Sequence, residues 1–359
     1  MKRLLLLLLS VPLIISAQGP EITSWILNLN GATNSSYPNY LTNVQNVCYT
    51  STDVYISCTC IPGYDIGPWS QNPNQPANQN FVFKISLNPQ ENTGIKTKAP
   101  MGHIGVWSNG VSIFNAEDGM SYQNQGVWNQ NALYFEGVSF DDCLGHPAPN
   151  GEYHHHVNPT CLYDDSEVNI HSPIIGYAFD NFPIYGAYGY TNVDGSGGIK
   201  RIESSYQLRS ITNRVNGPSF NQYPLGAYIE DFEYMVGLGD LDEYNGRYCV
   251  TPEYPNGIYA YFVTIDANLD PVYPYTPGPY YYGIAQSGNL GPGSGHNTIP
   301  FNCTPYTGST ISVINIDKIS DRTLIDVVDF SGKQAIERYN VPLFYIYENG
   351  DVDRKIVFK

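Results

Sequence analysis

Residues 151–161 read "GEYHHHVNPTC", a tyrosine followed by three consecutive histidines, in a chain of 359 residues with seven histidines in all. In an extended strand, side chains alternate between faces. Tyr153 and His155 then share one face, and His154 and His156 share the other. Two imidazoles spaced this way stand about 7 Å apart, which suits shared coordination of one metal ion. Three readings are open for the cluster. It is a metal site, a metal-free acid–base site with a histidine near its unperturbed pKa, or a set of hydrogen-bonded structural histidines.

The strand reading extends outward. "YISCTC", "FVFKISL", "VSIFNA", "IYAYFVTI" and "LFYIYENG" are short alternating segments bounded by Gly, Pro and Asn, and no long apolar pattern of period 3.6 competes with them. With 31 Tyr, 34 Gly and 26 Pro, this predicts a mostly β fold with long irregular loops. An internal echo adds detail. "DDCLGHPAPNGEYHHH" (141–156) and "DEYNGRYCVTPEYPNGIYAYF" (242–262) share an acidic pair, a Gly followed by His146 or Arg247, and Pro-Asn-Gly leading through one residue to a tyrosine. Two related β units are therefore expected. Only the first keeps imidazoles, because His154 aligns with Ala260 and His156 with Phe262.

A metal held by His154 and His156 needs further donors, and His146 and His171 are the expected ones. Neutral imidazoles suit Zn or Cu, and an added carboxylate widens the choice to Fe, Mn or Ni. Asp141, Asp142 and Asp180 are candidates for that carboxylate or for acceptors of imidazole N–H groups. Cys143 and Cys161 bracket the histidines and are expected to be bridged. Seven cysteines leave at least one outside an intrachain pair. His155 by itself reads as an exposed or packed residue. His103, in "GHIGVWSNG" (102–110), reads as a turn histidine, with a distal ligand as the rival. "GDLDEYNG" (239–246) offers oxygen donors for calcium, although Tyr244 and Asn245 break the EF-hand pattern. HEXXH, G-x-S-x-G, P-loop and dinucleotide motifs are absent, so serine-hydrolase, nucleotide and NAD chemistry lose support.

Residues 1–17 carry Lys2 and Arg3, an apolar run from Leu4 to Ile15 and then Ser16-Ala17. They read as a secretory signal peptide cut after Ala17. No other stretch reaches the roughly 18 apolar residues that a membrane span needs. Without Lys2 and Arg3, 15 basic residues face 33 acidic ones, a net charge of −18 that disfavours a nucleic-acid partner. The acidity lies in the body, because residues 311–359 hold 7 basic and 8 acidic side chains. This shift predicts a body of residues 18–305 and a small β-sandwich-like module over 306–359.

From about Ala99 to Gly283 the chain resembles the bacterial YHYH-domain proteins, through Tyr153-His154-His155-His156 and the words "GHPAPNGEYH", "HSPIIGYAFDNFPIYG" and "GDLDEYNGRYCVTPEYPNGIYAYFVTID". His155 stands where that family has its second tyrosine, and Asn181 replaces a glycine. The resemblance implies a fold and a site but supplies no reaction. The tail "LIDVVDFSGKQAIERYNVPLFYIYENGDVDRKIVFK" (324–359) is similar to the C-terminal sorting domain of the type IX secretion system of Bacteroidetes. That implies passage across the outer membrane by this machinery, possible removal of the tail, and an extracellular or outer-membrane-surface location. The leading expectation is a secreted or cell-surface protein with a transition-metal site. The alternative is a non-enzymatic module for extracellular glycan or protein, supported by the density of Tyr and Trp. A structural or matrix protein follows if neither a metal site nor an exposed aromatic strip exists.

Overall fold

Short alternating segments cannot each bury an apolar face alone, so they pair into sheets. The computed structural model describes residues 18–308, 324–328, 333–335, 342–347 and 352–356. The expected signal peptide, residues 1–17, and much of the 306–359 tail lie outside the described residues. The chain divides into two compact units, Met1–Gly308 and Ser309–Lys359.

The first unit opens on a single helical turn, α1 (Pro20–Thr23). It continues into β1 (Val44–Tyr49), β2 (Asp53–Cys58) and β3 (Phe81–Ser86), an antiparallel meander. The central sheet is built from β4 (His103–Trp107), β5 (Ser112–Phe114), β8 (Gly145–Pro147), β9 (Tyr153–His155), β10 (Ile174–Ala178), β11 (Pro183–Tyr185), β16 (Gly246–Cys249) and β17 (Ile258–Phe262). Three two-stranded ribbons decorate it: β6 (Glu117–Ser121) with β7 (Asn129–Asn131), β12 (Tyr188–Tyr190) with β13 (Ile199–Arg201), and β14 (Tyr206–Leu208) with β15 (Phe232–Tyr234). One further short helix, α2 (Ala132–Glu136), follows β7. β18 (Thr304–Tyr306) returns to pair with β1, and the disulfide Cys48–Cys303 fastens that return.

The central sheet has the order β16-β17-β11-β10-β4-β5-β9-β8, which reads the same from both ends. Hairpin β4–β5 pairs Gly105 with Ile113 and Val106 with Ser112, and hairpin β10–β11 pairs Gly176 with Ile184 and Tyr177 with Pro183. Both carry an irregularity at the same place, before Gly105 and before Gly176. Each hairpin then takes a parallel partner, β9 or β17, that closes a second hairpin with β8 or β16. In those outer hairpins His146 faces His154 where Arg247 faces Ala260. The echo is thus a structural duplication, and a local twofold relates its halves.

The turns repeat as well. Asp141 accepts from Gly145 N and from the Tyr153 hydroxyl, and Asp242 accepts from Gly246 N and from the Tyr259 hydroxyl. Leu144 and Asn245 occupy the same left-handed position, at φ 62° and 66°. The β4–β5 turn has Gly110 at φ 81° where the β10–β11 turn has Asn181 at φ 77°. Asparagine tolerates that conformation at some cost. Here its side chain is used, because Asn181 Oδ1 accepts from Ser86 N at 2.8 Å.

The halves meet at β4–β10, where Gly176 pairs with Trp107 and Ala178 with Gly105. Trp107, Tyr177, Tyr153, Phe179, Tyr261 and Phe262 fill the fully buried core around this seam. In the second unit, β19 (Leu324–Val328), β20 (Pro342–Tyr347) and β21 (Val352–Ile356) form one antiparallel sheet with β20 central. Leu343 and Tyr345 are buried there against Val327 and Ala335.

A Cβ on Gly176 would stand 2.6 Å from the Val106 carbonyl oxygen and 2.9 Å from the Trp107 ring. Gly176→Ala should therefore lower stability by about 1–3 kcal/mol, the usual cost of overpacking. Gly119→Ala, which meets nothing within 4 Å, should stay within about 0.5 kcal/mol. Urea midpoints of the two variants test the seam.

Candidate metal centre

Three of the site's four side chains come from the outer hairpin of the first half. β9 and its continuation carry His154 and His156 on one face, and β8 supplies His146 from the neighbouring strand. The fourth is Glu136, the last residue of α2. Asn131 sets the start of that helix by accepting from Leu133 N, and it also donates to the Tyr275 hydroxyl at 2.8 Å. Behind it, Asp231 and Arg214 form a fully buried ion pair at 2.6 Å in the insertion of the second half. Asn131 N donates to Ala227 O in the same region, so the second half braces the helix that delivers Glu136.

Four ligating atoms converge. His146 Nε2 and His154 Nε2 lie 3.0 Å apart, and His154 Nε2 and His156 Nε2 lie 3.1 Å apart. Glu136 Oε2 is 3.1 Å from both His146 Nε2 and His156 Nε2, and all four atoms fall within 4.8 Å of one another. The other ring nitrogens fix the tautomers. His146 Nδ1 lies 2.7 Å from Ser139 Oγ, whose own hydroxyl donates to Glu136 O. His154 Nδ1 lies 3.0 Å from Glu152 O, and His156 Nδ1 lies 2.5 Å from Asn115 O. Each partner is an acceptor, so each Nδ1 bears a proton and each Nε2 turns inward. Phe114 stacks on His154 at 3.7 Å between centroids, and Phe140 lies edge-on to His146, holding the rings in these orientations.

Electrostatics sharpen the arrangement. Burial, with His146 and His156 alongside, holds His154 well below its ordinary value of 6.5. Burial likewise lowers His146, more than Glu136 raises it. Burial pushes the Glu136 carboxyl up, but its contacts with His146 and His156 outweigh that and hold it below the usual carboxylate range. A carboxylate and three imidazoles thus face one another at close range. Three nitrogens and one oxygen match a site for Zn or another first-row metal. The cluster forms the floor of a cleft of about 810 Å³ whose walls include Met101, Phe114, Asp118, Phe135 and Val138.

Other expected residues are placed elsewhere. His171 is not in the cluster. It lies in the second half against Tyr185, Tyr190 and Phe262. Asp141 serves a turn, accepting from Gly67 N, Trp69 Nε1, Cys143 N and Tyr153 Oη. Asp142 is exposed, and Asp180 is buried, accepting from the Tyr261 hydroxyl and Gly283 N. The atoms that orient the imidazoles are instead Ser139 Oγ and two main-chain carbonyls. Cys143 and Cys161 are bridged, with Cα atoms 5.1 Å apart, while Cys58, Cys60 and Cys249 are buried free thiols. His155 is fully buried beside Trp107 and 3.4 Å from the Tyr64 hydroxyl. His103 begins β4 rather than a turn, contacts Glu152 and Ser294 at 3.0 and 2.9 Å, and is not among the four converging residues. In the calcium candidate, Asp240 engages Lys200 and Glu203 N, and Asp242 holds its own turn. Glu136 went unrecognised in the sequence because "ALYFE" carries no motif; its one signal is a helical turn ending in a carboxylate near His146.

A family model described as YHYH protein matches residues 82–273. No curated protein and no solved structure matches the chain.

His155 gives a test of the buried imidazoles. Burial lowers its pKa from 6.5 to about 3, so the unfolded chain binds the proton more readily than the folded one. Its contribution to stability is intact above 6.5 and declines as pH falls towards 3. Urea midpoints between pH 7.5 and 4.5 should fall more steeply for the natural chain than for His155→Phe. Equal slopes would contradict this assignment.

Proposed function

Because the chain belongs to the YHYH protein family, and the matched span contains all four converging side chains, we propose that it is an exported metalloprotein. His146, His154, His156 and Glu136 hold one transition metal at the floor of the cleft. The observation that carries this reading is the convergence of three inward Nε2 atoms and a carboxylate, with every Nδ1 committed to an oxygen. Bound there, a metal supplies Lewis acidity and lowers the pKa of coordinated water.

The residues around the site supply the remainder. Phe114 and Phe135 give the cleft apolar walls, which exclude water and favour a ligand with an apolar body. Asp118 lines the same cleft, and burial together with its Glu136 neighbour pushes its carboxyl up to about 7. It can hold or release a proton near neutral pH beside the site, as acid–base chemistry on a bound ligand requires. The aromatic content gives less support to a glycan-binding strip, since Tyr153, Tyr177, Tyr185, Tyr228, Tyr261 and Tyr281 are all fully buried core residues. Two disulfides and the lack of any membrane-spanning helix among the described residues are consistent with export. Secretion through a leader at 1–17 and a type IX sorting tail at 306–359 is part of the same proposal.

Metal content by mass spectrometry tests it. The natural chain should carry about one Zn, Cu or Fe per molecule, and Glu136→Ala and His154→Ala should lose it while remaining folded. Ser139→Ala leaves all four ligands but removes the tether on His146 and the hydroxyl's bond to Glu136 O, and should weaken metal binding about 10–100-fold. Metal-free protein after exposure to each ion would sink the proposal.

A further inference from the structure

Behind His154 lies a buried side-chain pair outside the ligand set. His103 and Glu152 are 0% and 2% exposed. His103 Nδ1 lies 3.0 Å from Glu152 Oε1 and donates to it, and His103 Nε2 lies 2.9 Å from Ser294 Oγ. Two contacts run from this pair to His154. Glu152 O, which also accepts from Ala148 N, is the acceptor for His154 Nδ1 at 3.0 Å. The His103 ring meets Phe114 edge-on, at 6.4 Å between centroids, and Phe114 stacks on His154. The edge and the face of the His154 ring are thus both backed by groups that His103 touches.

The second half lacks the pair. Its register sets Ile174 opposite Tyr185 where the first half sets His103 opposite Phe114. Because Ala260 corresponds to His154, Ile258 stands where Glu152 does, two residues earlier in each strand. Ile174 and Ile258 are buried as well, so the scaffold fills both positions with aliphatic side chains where there is no imidazole cluster to hold. Burying His and Glu carries a desolvation cost that isoleucine avoids. That cost is met only in the half with His146, His154 and His156. Asp141 and Asp242, by contrast, persist in both halves, as groups required by the fold do.

We propose that His103 and Glu152 are positioning residues for the metal centre, holding the His154 ring through its Nδ1 acceptor and its stacking partner so that Nε2 meets the other three ligands. This rests on the metal reading above. Neither side chain is itself one of the converging groups. A ring fixed in advance needs less ordering when metal binds, which is how residues behind a ligand raise affinity.

The test gives the first half the residues of the second. In the full chain, His103→Ile/Glu152→Ile replaces both partners with apolar side chains, a change that is often neutral or stabilising for a buried pair. The metal-free thermal midpoint of the double variant should match or exceed that of the natural chain. Its affinity for Co²⁺ should nevertheless fall about tenfold, and the visible absorption of the bound Co²⁺ should shift as the His154 ring changes angle. A purely structural pair would do the reverse, lowering the midpoint and leaving the spectrum alone. Should the double variant fail to fold, His103→Gln, which keeps a donor for Glu152 but loses the ring against Phe114, is titrated in the same way and should also weaken and shift the Co²⁺ signal. A folded variant with the natural Co²⁺ affinity and spectrum would overturn the proposal while leaving the metal reading intact. A natural chain that takes up no Co²⁺ would overturn both, so the two failures are told apart by the natural chain alone.

Discussion

The site depends on what each imidazole does with its second nitrogen. Ser139 Oγ, Glu152 O and Asn115 O each take an Nδ1 proton, and that fixes both the tautomer and the tilt of the ring. Three Nε2 atoms then face one another and Glu136 at separations near 3 Å. Phe114 stacks on His154 and Phe140 on His156, which holds the rings in these orientations. The fold holds these groups in place through paired strands and a braced helix, as a set that could hold a metal ion.

The duplication shows the same problem answered twice. In the first half, the outer hairpin places His146 opposite His154, with His156 just beyond. In the second, the corresponding residues are Arg247, Ala260 and Phe262. The Arg247 guanidinium lies over the Phe262 ring at 5.3 Å and donates to Tyr190 O. Where one half presents imidazoles, the other carries a cation in a covalently attached side chain. One scaffold thus holds a histidine-bearing half and a second half that reaches across to brace α2 through Asn131 and Ala227.

Much of this was legible in the sequence, for physical reasons that differ by element. Strand alternation put His154 and His156 on one face because period 2 is a property of the extended backbone. The echo was legible because both copies need the same Asp-to-Gly turn and the same tyrosine hydroxyl on that Asp. That shared need also explains why Asp141 is no site residue: Asp242 persists in the half without imidazoles, so the carboxylate belongs to the turn. His171 read as a ligand through its closeness in sequence, but the chain passes into the second half before reaching it. Glu136 was illegible because a five-residue helix has no periodic signature, and only tertiary contacts through Asn131 bring its end to the histidines. The imidazole tethers were equally hidden, since two of the three are main-chain carbonyls that any residue could supply.

X-ray absorption spectroscopy of the metal-loaded chain tests the convergence most directly. The account predicts a first shell of three imidazole nitrogens and at least one oxygen, with the outer-shell scattering of three imidazole rings. After Glu136→Ala the imidazole signal should persist while the protein-derived oxygen is lost. A shell with fewer than two imidazoles, or one made of oxygen alone, would contradict the assignment of His146, His154 and His156 as the ligands.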